Sequence, residues 1–146
     1  MNILITGCAG FIGSHLSKVL LSKRNKIFGI DNMNNYYDVQ IKKDRLKEIF
    51  NYSKKNKYLF NFSKVDLINN KKLKFIFEKK KVDIVINLAA QAGVRYSITN
   101  PRKYLNSNIV GFFNLIELSR QYNIKHFIYA STGSVYGDNK KIPFVE

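Results

Sequence analysis

The chain begins its first turn with Thr6-Gly7-Cys8-Ala9-Gly10-Phe11-Ile12-Gly13, in which three glycines follow the apolar run Ile3-Leu4-Ile5. A strand that leads directly into a helix points free backbone N–H groups and the positive end of the helix dipole toward one place. Gly7 would permit the tight turn, Gly10 would let the backbone approach a phosphate, and Gly13 would let the helix pack closely on the strand. The stretch therefore predicts a pyrophosphate-binding turn, with a purely structural glycine-rich turn as the alternative.

A second short apolar run, Ile27-Phe28-Gly29-Ile30, predicts another buried strand, and it ends at Asp31. A carboxylate some way beyond the last glycine is expected where the ribose hydroxyls of a dinucleotide bind. An acid at this position also favours NAD over NADP. Together with the glycines, Asp31 predicts a dinucleotide site.

Length and composition limit the class of protein. The chain has 146 residues, of which 45% are hydrophobic, so we expect one domain, residues 1–146, with a real core. No apolar run is long enough to cross a bilayer and no basic leader precedes the first strand, which predicts a cytoplasmic protein with no membrane partner. Cys8 is the only cysteine, and we expect it to fill space in the turn rather than to act as a nucleophile.

The net charge of +15 raises the question of a nucleic-acid ligand. The lysines are scattered, mostly on predicted solvent faces, as Lys42-Lys43, Lys54-Lys55, Lys71-Lys72 and Lys79-Lys80-Lys81. No helix-turn-helix or RNA-recognition motif accompanies them. We therefore expect no nucleic-acid partner, and a polyanion-binding surface is the weakest alternative function. We also expect no metal site.

Short apolar runs alternate with helical stripes, which is typical of repeated βα units. Strands are predicted near residues 2–6, 27–30, 58–62, 82–87 and 126–130, and helices near 11–22, 41–50, 69–80 and 101–122. In the first helix, Ile12, Leu16, Val19 and Leu20 are predicted to form one face that lies on the sheet. In the last helix, one apolar stripe is formed by Leu105, Ile109, Phe112 and Ile116. Right-handed crossovers give an α/β fold, a Rossmann-type doubly wound parallel sheet in the order 3-2-1-4-5, with residues 82–87 beside the first strand.

Ligands of such a sheet bind beyond the carboxyl ends of its strands. Asp66-Leu67 follows the third predicted strand, where an adenine ring would lie. Leu88-Ala89-Ala90 follows the fourth, and its small residues would let a cofactor pass. Asp66 could equally cap the helix that begins near Asn69, so both interpretations stay open.

Several segments resemble the extended short-chain dehydrogenases/reductases, and within them the NAD-dependent sugar-nucleotide epimerases, in particular UDP-glucuronate 4-epimerases. The segments that carry the resemblance are Gly7–Leu16, Asp31–Asp38, Leu88–Ser97, Asn106–Gly111, Tyr129–Gly137 and Pro143–Glu146. The resemblance spans essentially the whole chain. It implies NAD as cofactor, a UDP-uronic acid as substrate and a family that forms homodimers.

The resemblance also assigns residues. Those expected to bind the cofactor are Gly7, Gly10, Phe11, Ile12, Gly13, Asp31, Asn32, Asp66, Leu67, Leu88, Ala89, Ala90 and Ser107. Arg95, Thr132 and Ser134 are expected to bind the substrate, and Thr132 is also the expected catalytic hydroxyl, which relays a hydrogen bond to the sugar oxygen. The alternative for Thr132 is a strand-end threonine that ties down its own backbone.

The residues after Thr132 separate two reactions of the family. Sugar-nucleotide 4,6-dehydratases place an Asp-Glu pair there, because elimination of water needs a proton donor and a base. Gly133 and Ser134 can be neither, so the sequence favours C4 epimerisation through a 4-keto intermediate, with a dehydratase relative as an alternative. Glycine at position 133 departs from the small hydroxyl residue that is usual in uronate epimerases.

The family's Tyr-x-x-x-Lys motif lies on a helix, and no helical pattern surrounds the one pair with that spacing, Tyr136 and Lys140. We therefore expect an incomplete Rossmann domain, truncated after the fifth strand, without the catalytic helix and the substrate-binding part. Such a chain would not turn over substrate alone, and the apolar face of helix 101–122 would stay uncovered and favour association. A non-catalytic nucleotide-binding module is the further alternative.

Overall fold

The computed structural model describes residues 1–145 as one five-stranded parallel sheet with helices on both faces. The strands, numbered β1 to β5 in chain order, are Asn2–Thr6, Lys26–Asp31, Phe60–Lys64, Ile84–Asn87 and His126–Tyr129. Their order in the sheet is β3-β2-β1-β4-β5, as predicted, and β4 pairs with β1 through Ile3 and Ile84. Of the closing segment in the resemblance, Glu146 lies outside the described residues.

Helices connect the strands. The α-helices, α1 to α6, are Phe11–Ser22, Val39–Lys55, Asn70–Lys80, Val94–Thr99, Pro101–Tyr104 and Gly111–Gln121. A π-helical turn, Leu105–Val110, joins α5 to α6, and a 3-10 turn spans Gly133–Tyr136. The predicted helix 101–122 is thus two α-helices with a π turn between them, and α4 was not predicted.

The central strand β1 is buried on both faces, because alternate residues of a strand point to opposite sides of the sheet. Leu4 belongs to an apolar cluster that includes Leu73 of α3 and Leu115 of α6. Ile3 and Ile5 belong to a second cluster on the other face, toward α1 and α2. This two-sided burial explains why β1 and β4 appear in the sequence as continuous apolar runs.

The predicted contact stripe of α1 is wrong at two positions. Ile12 and Val19 are 62% and 51% exposed, whereas Leu16 and Leu20 pack against the core. The fully buried residues of α1 are Gly13, Ser14, Ser17 and Leu21. Small residues bring this helix close to the sheet, so its buried face does not coincide with its most apolar stripe.

The apolar stripe of the last helix is mostly exposed. Leu105, Ile109 and Ile116 are 44%, 61% and 43% exposed, and α6 packs through Gly111, Leu115, Leu118 and Ser119 instead. Phe112, the fourth member of the stripe, is half-buried and packs against Phe127 of β5 with 5.8 Å between ring centroids. The expectation of an uncovered apolar face in residues 101–122 is confirmed.

Two further boundaries differ from the prediction for local reasons. Tyr58 was predicted to begin the third strand, but its N–H bonds to the Ser53 carbonyl at the end of α2, and β3 begins at Phe60. Helix α2 begins at Val39, because the Asp38 side chain accepts a hydrogen bond from the N–H of Gln40 and caps it.

Candidate cofactor site

The turn between β1 and α1 is built around glycines that leave no room for a side chain. Gly7 has a φ of +67°, and a Cβ there would lie 2.9 Å from the backbone nitrogen of Ala89. A Cβ on Gly13 would overlap the carbonyl oxygen of Gly7, so α1 can approach β1 this closely only with glycine at position 13. The predicted reasons for these two glycines are confirmed.

The start of α1 has the properties of an anion-binding helix terminus. Gly10 precedes the helix without a side chain to cap it, and the first turn carries no acidic residue in this described segment. The N–H groups of that turn therefore keep hydrogen-bonding capacity, next to the positive end of a 12-residue helix. Phe11 and Ile12 can contribute only their backbone, since their side chains are exposed and lie outside the groove described next.

A groove lies at the carboxyl edge of the sheet, above the glycine turn. Ten of the thirteen predicted cofactor residues line it: Gly7, Gly10, Asp31, Asn32, Asp66, Leu67, Leu88, Ala89, Ala90 and Ser107. They come from the loops after β1, β2, β3 and β4 and from the π turn. Residues distant in sequence thus converge on one surface, where the backbone of the glycine turn and the carboxylates of Asp31 and Asp66 line the same groove.

The carboxylate wall of the groove, formed by Asp31 and Asp66, is held by local hydrogen bonds. Oδ1 of Asp31 accepts from the N–H of Met33 at 2.8 Å, and Oδ2 of Asp66 accepts from Nδ2 of Asn32 at 2.9 Å. Asn69, not Asp66, caps α3 by accepting from the N–H of Lys72 at 3.1 Å. The capping interpretation of Asp66 is therefore wrong, and its side chain lies in the groove wall.

A buried lysine faces this wall and was not predicted. Lys42 of α2 was expected on a solvent face, yet its side chain is only 6% exposed and its Nζ lies 3.5 Å from Oδ1 of Asp31. Nζ also donates to Oδ1 of Asn34 at 3.0 Å. The available signal was its spacing from Leu46 and Ile49, which places position 42 on the buried stripe of α2.

The groove floor, which we define as Leu88 and Ala89 after β4, is held by a threonine that was not predicted. The Thr6 hydroxyl oxygen accepts from the N–H groups of Leu88 and Ala89, at 3.2 and 3.0 Å. Thr6 is completely buried at the end of β1. The only signal in the sequence was a hydroxyl residue directly before the glycine turn.

The π turn supports both sides of the groove. Asn108 forms two hydrogen bonds with the Gln91 backbone, accepting from its N–H at 2.7 Å and donating to its carbonyl at 2.9 Å. Beyond the turn, Nδ2 of Asn114 donates to the Leu67 carbonyl at 2.8 Å. Ser107 of the π turn lines the groove.

The predicted substrate residues are not gathered at the groove. Arg95, Thr132 and Ser134 are exposed and do not line it. Oγ1 of Thr132 accepts from the N–H of Ser134 at 3.2 Å, which is the self-capping geometry of the alternative interpretation. The strand that leads to Thr132 is nevertheless paired with β4, since the Ala130 N–H donates to the Asn87 carbonyl at 3.1 Å.

The Tyr136 and Lys140 pair does not form a helical motif. Tyr136 ends the 3-10 turn, Gly137 follows with a φ of +57°, and the Tyr136 ring stacks on Phe144 at 4.7 Å between ring centroids. As expected, the pair is not carried on an α-helix, although Tyr136 belongs to the 3-10 turn.

Cys8 packs inside the glycine turn. Its side chain is fully buried against Gly29 of β2, where an added Cβ would lie 2.6 Å from the sulfur. Burial raises the pKa of the Cys8 thiol well above its usual range, and the charge of Asp31 adds to this. The space-filling interpretation is confirmed.

Residues 1–145 contain neither a metal-binding cluster nor a membrane-spanning helix. Within them, His, Cys, Asp and Glu side chains do not come together in any group of three able to hold a metal ion. Over the same residues, none of the helices combines the length and the apolar character needed to span a bilayer.

Known proteins resemble this chain over almost its whole length. The family model described as GDP-mannose 4,6 dehydratase matches residues 4–146. Protein CapI of Staphylococcus aureus is 54% identical over 144 residues, covering 99% of this chain and 41% of that relative. The UDP-glucuronate 4-epimerase of Thermodesulfobacterium geofontis is 43% identical, covering 98% of this chain and 42% of the relative.

A solved structure agrees with the fold. The UDP-glucose 4-epimerase from Bifidobacterium longum, in complex with NAD+ and UDP, aligns with a TM-score of 0.84 and 26% identity, covering 100% of this chain and 41% of that one. The chain spans about two fifths of the length of these relatives. The resemblance to sugar-nucleotide epimerases and dehydratases is confirmed, and with nearly every residue matched the chain belongs to the GDP-mannose 4,6 dehydratase family.

Proposed function

We propose that this chain is the NAD-binding part of a sugar-nucleotide 4-epimerase that interconverts UDP-glucuronate and UDP-galacturonate. The observation that carries the proposal is the groove, which is lined by Gly7 and Gly10 at the uncapped start of α1 and by the two carboxylates Asp31 and Asp66. The UDP-glucuronate 4-epimerase relative, at 43% identity, supports the choice of reaction. The Bifidobacterium structure, which holds NAD+ and UDP, supports the choice of cofactor.

The residues present fit a dinucleotide. The N–H groups of the first turn of α1, reached past Gly7 and Gly10, would hold the diphosphate. Asp31 would accept hydrogen bonds from the ribose hydroxyls, and Asp66 with Leu67 would border the adenine. Bound NAD would supply the acceptor and donor of the hydride that leaves and returns at C4 of the sugar.

The other proposed contribution of this chain is a set of hydrogen bonds to the sugar. Thr132 lies three residues beyond β5, at the same edge of the sheet as the groove. Its hydroxyl oxygen accepts from the N–H of Ser134, and the hydroxyl donates to Oγ of Ser134 at 3.3 Å between the two oxygens. We assign it the hydrogen bond to the C4 oxygen, and we assign Arg95 and Ser134 contacts to the uronate carboxylate.

A dehydratase is the second candidate, because the matched family model carries that name. Elimination of water needs an acid and a base beside the sugar, and the residues after Thr132 are Gly133 and Ser134. Gly133 has no side chain, and the Ser134 hydroxyl is a poor acid at neutral pH. Epimerisation, which needs neither group at these positions, fits the residues better.

We also propose that the chain by itself is inactive. Within residues 1–145, the pair Tyr136 and Lys140 is not carried on a helix, so Thr132 has no helical Tyr-Lys partner. A base for the C4 hydroxyl proton would then have to come from elsewhere. A stopped assay of the purified chain with UDP-glucuronate and NAD should give no product, and product above background would contradict this part of the proposal.

Cofactor binding can be tested on the chain alone. Bound NAD should raise the melting temperature, since a ligand selective for the native state must stabilise it. Gly7→Val is the matched negative variant, because Gly7 has a positive φ and no space for a side chain. An unchanged melting temperature of the wild type up to millimolar NAD would overturn the proposed cofactor site.

The reaction can be tested in a chimera in which this chain replaces the matching part of the Thermodesulfobacterium relative. We expect UDP-glucuronate to be converted to UDP-galacturonate, and Thr132→Val to lower kcat by about 100-fold. Ser97→Ala, an exposed hydroxyl that donates to the Val94 carbonyl, is the control. A folded, NAD-loaded chimera without epimerase activity would contradict the proposed reaction.

A further inference from the structure

Lys42 places a charge where the fold calls for an apolar residue. The buried stripe of α2 consists of Lys42, Leu46, Ile49 and Ser53. Burying an ammonium group costs free energy unless it is paired and hydrogen-bonded. The Lys42 side chain is 6% exposed, so its charge needs an explanation beyond packing.

The partners of Lys42 within the chain do not use its full capacity. An ammonium has three N–H donors. Among residues 1–145, the only hydrogen bond of Nζ goes to Oδ1 of Asn34, at 3.0 Å. Asp31 Oδ1 lies at 3.5 Å, and the Tyr37 ring centroid lies 5.0 Å away. Lys42 also lines the groove, which places it beside the space in which a ligand would bind.

The Asp31 carboxylate likewise has partners in the chain for only part of its hydrogen-bonding capacity. Its Oδ1 faces Lys42 and accepts from the N–H of Met33 at 2.8 Å. The hydrogen bonds of this carboxylate within the described residues all involve Oδ1, which leaves Oδ2 for a ligand. An acceptor and a donor thus lie side by side in the wall of the groove.

We propose that Lys42 is a specificity-determining residue of the dinucleotide site and binds the same ribose as Asp31. This inference rests on the proposed function. With NAD, the ammonium donates to a ribose hydroxyl oxygen while Asp31 accepts from the hydroxyl protons. The negative charge of Asp31 at 3.5 Å offsets the lysine charge and keeps a 2′-phosphate out.

The pair therefore contains a latent phosphate site. When the charge of Asp31 is removed and its shape is kept, the Lys42 ammonium is left without a counter-charge. A 2′-phosphate would supply that counter-charge. NADP, which differs from NAD by this phosphate alone, becomes the favoured ligand, and the gain depends on Lys42.

The experiment measures NAD and NADP binding by calorimetry for the wild type and four variants. Lys42→Met keeps the length of the side chain, Asp31→Asn keeps its shape, and the double variant removes both charges. Lys43→Met, an exposed lysine next along α2, is the matched control. Circular dichroism and the melting temperature without ligand establish that each variant is folded.

We expect Lys42→Met to weaken NAD binding about tenfold, and Asp31→Asn to strengthen NADP binding about tenfold. The double variant should lose the NADP gain, and Lys43→Met should match the wild type. Unchanged NAD affinity in a folded Lys42→Met variant overturns the inference. If that variant does not fold, the absence of an NADP gain in Asp31→Asn overturns it instead. Failure of the wild type to bind NAD overturns the proposed function itself, and the inference with it.

Discussion

The Thr6 hydroxyl lies 2.5 Å from the side-chain amide oxygen of Asn87 and joins the carboxyl ends of two neighbouring strands. Both side chains are buried. The same hydroxyl oxygen accepts from the N–H groups of the two residues that follow Asn87. The shape of the groove floor therefore depends on one small polar side chain in the first strand.

Thr6→Val should destabilise the fold. The change removes a donor to Asn87 and leaves the N–H groups of Leu88 and Ala89 without their acceptor. We expect the free energy of unfolding to fall by about 2 to 4 kcal/mol, because buried polar groups become unpaired. Urea denaturation followed by circular dichroism measures the change. Thr99→Val, at an exposed threonine, is the control, and equal losses in both variants would contradict the role of Thr6.

Gly13→Ala should disturb the turn and weaken NAD binding. The added methyl would overlap the Gly7 carbonyl and lie 2.9 Å from the Cys8 Cα, so α1 must move away from β1. We expect a loss of about 1 to 3 kcal/mol in unfolding free energy and a smaller NAD-dependent rise in melting temperature. Gly133→Ala, where no atom lies within 4 Å of the added methyl, should behave as the wild type. A normal NAD response in Gly13→Ala would refute this requirement for close packing.

Asp83 should make stability fall at acid pH. The Asn2 N–H and then Lys125 hold the pKa of the Asp83 carboxyl below its usual value. The folded state therefore favours the charged form, and this contribution is present above the unfolded pKa of about 4 and is lost as the pH falls through the lower folded pKa. The difference in melting temperature between the wild type and Asp83→Asn should be constant above about pH 5 and shrink below about pH 4. Asp138→Asn, at an exposed site, is the control, and a pH-independent difference for Asp83→Asn would argue against this linkage.

Cys8 should be unreactive while the chain is folded. Its thiol is fully buried and burial raises its pKa, so little thiolate is available to a reagent. A chromogenic disulfide reagent should label Cys8 only after unfolding in urea. In Ser134→Cys, which adds a thiol at an exposed position, one of the two thiols should react at once. Rapid reaction of both would show that the glycine turn opens readily.

The sheet could be predicted because its central strands are buried on both faces and appear as unbroken apolar runs. The glycine turn and Asp31 could be predicted because their spacing follows from the geometry of a strand, a turn and a helix. The helix faces could not, because α1 buries Gly13 and Ser17 and leaves Ile12 exposed. Apolarity alone does not show which side of a helix lies close to a sheet.

The supporting residues of the groove were beyond sequence reasoning for another reason. The partners of Thr6 and Asn108 are distant along the chain. Lys42 is a charged residue that is buried, which its residue type does not indicate. A lysine normally indicates solvent, and an asparagine in a helix has no local sign of a tertiary contact. Most residues that line the groove were therefore predictable, and the residues that hold them in place were not.

The π turn Leu105–Val110 sets the rotation of α6 about the helix axis relative to α5. An inserted residue rotates everything after it by about 100° relative to a regular helix. This offset allows Asn108 to hold the Gln91 backbone while Asn114 holds the Leu67 carbonyl. A regular α-helix of the same sequence would lack this offset and turn one anchor away, so the groove keeps its width only while the π turn is in place.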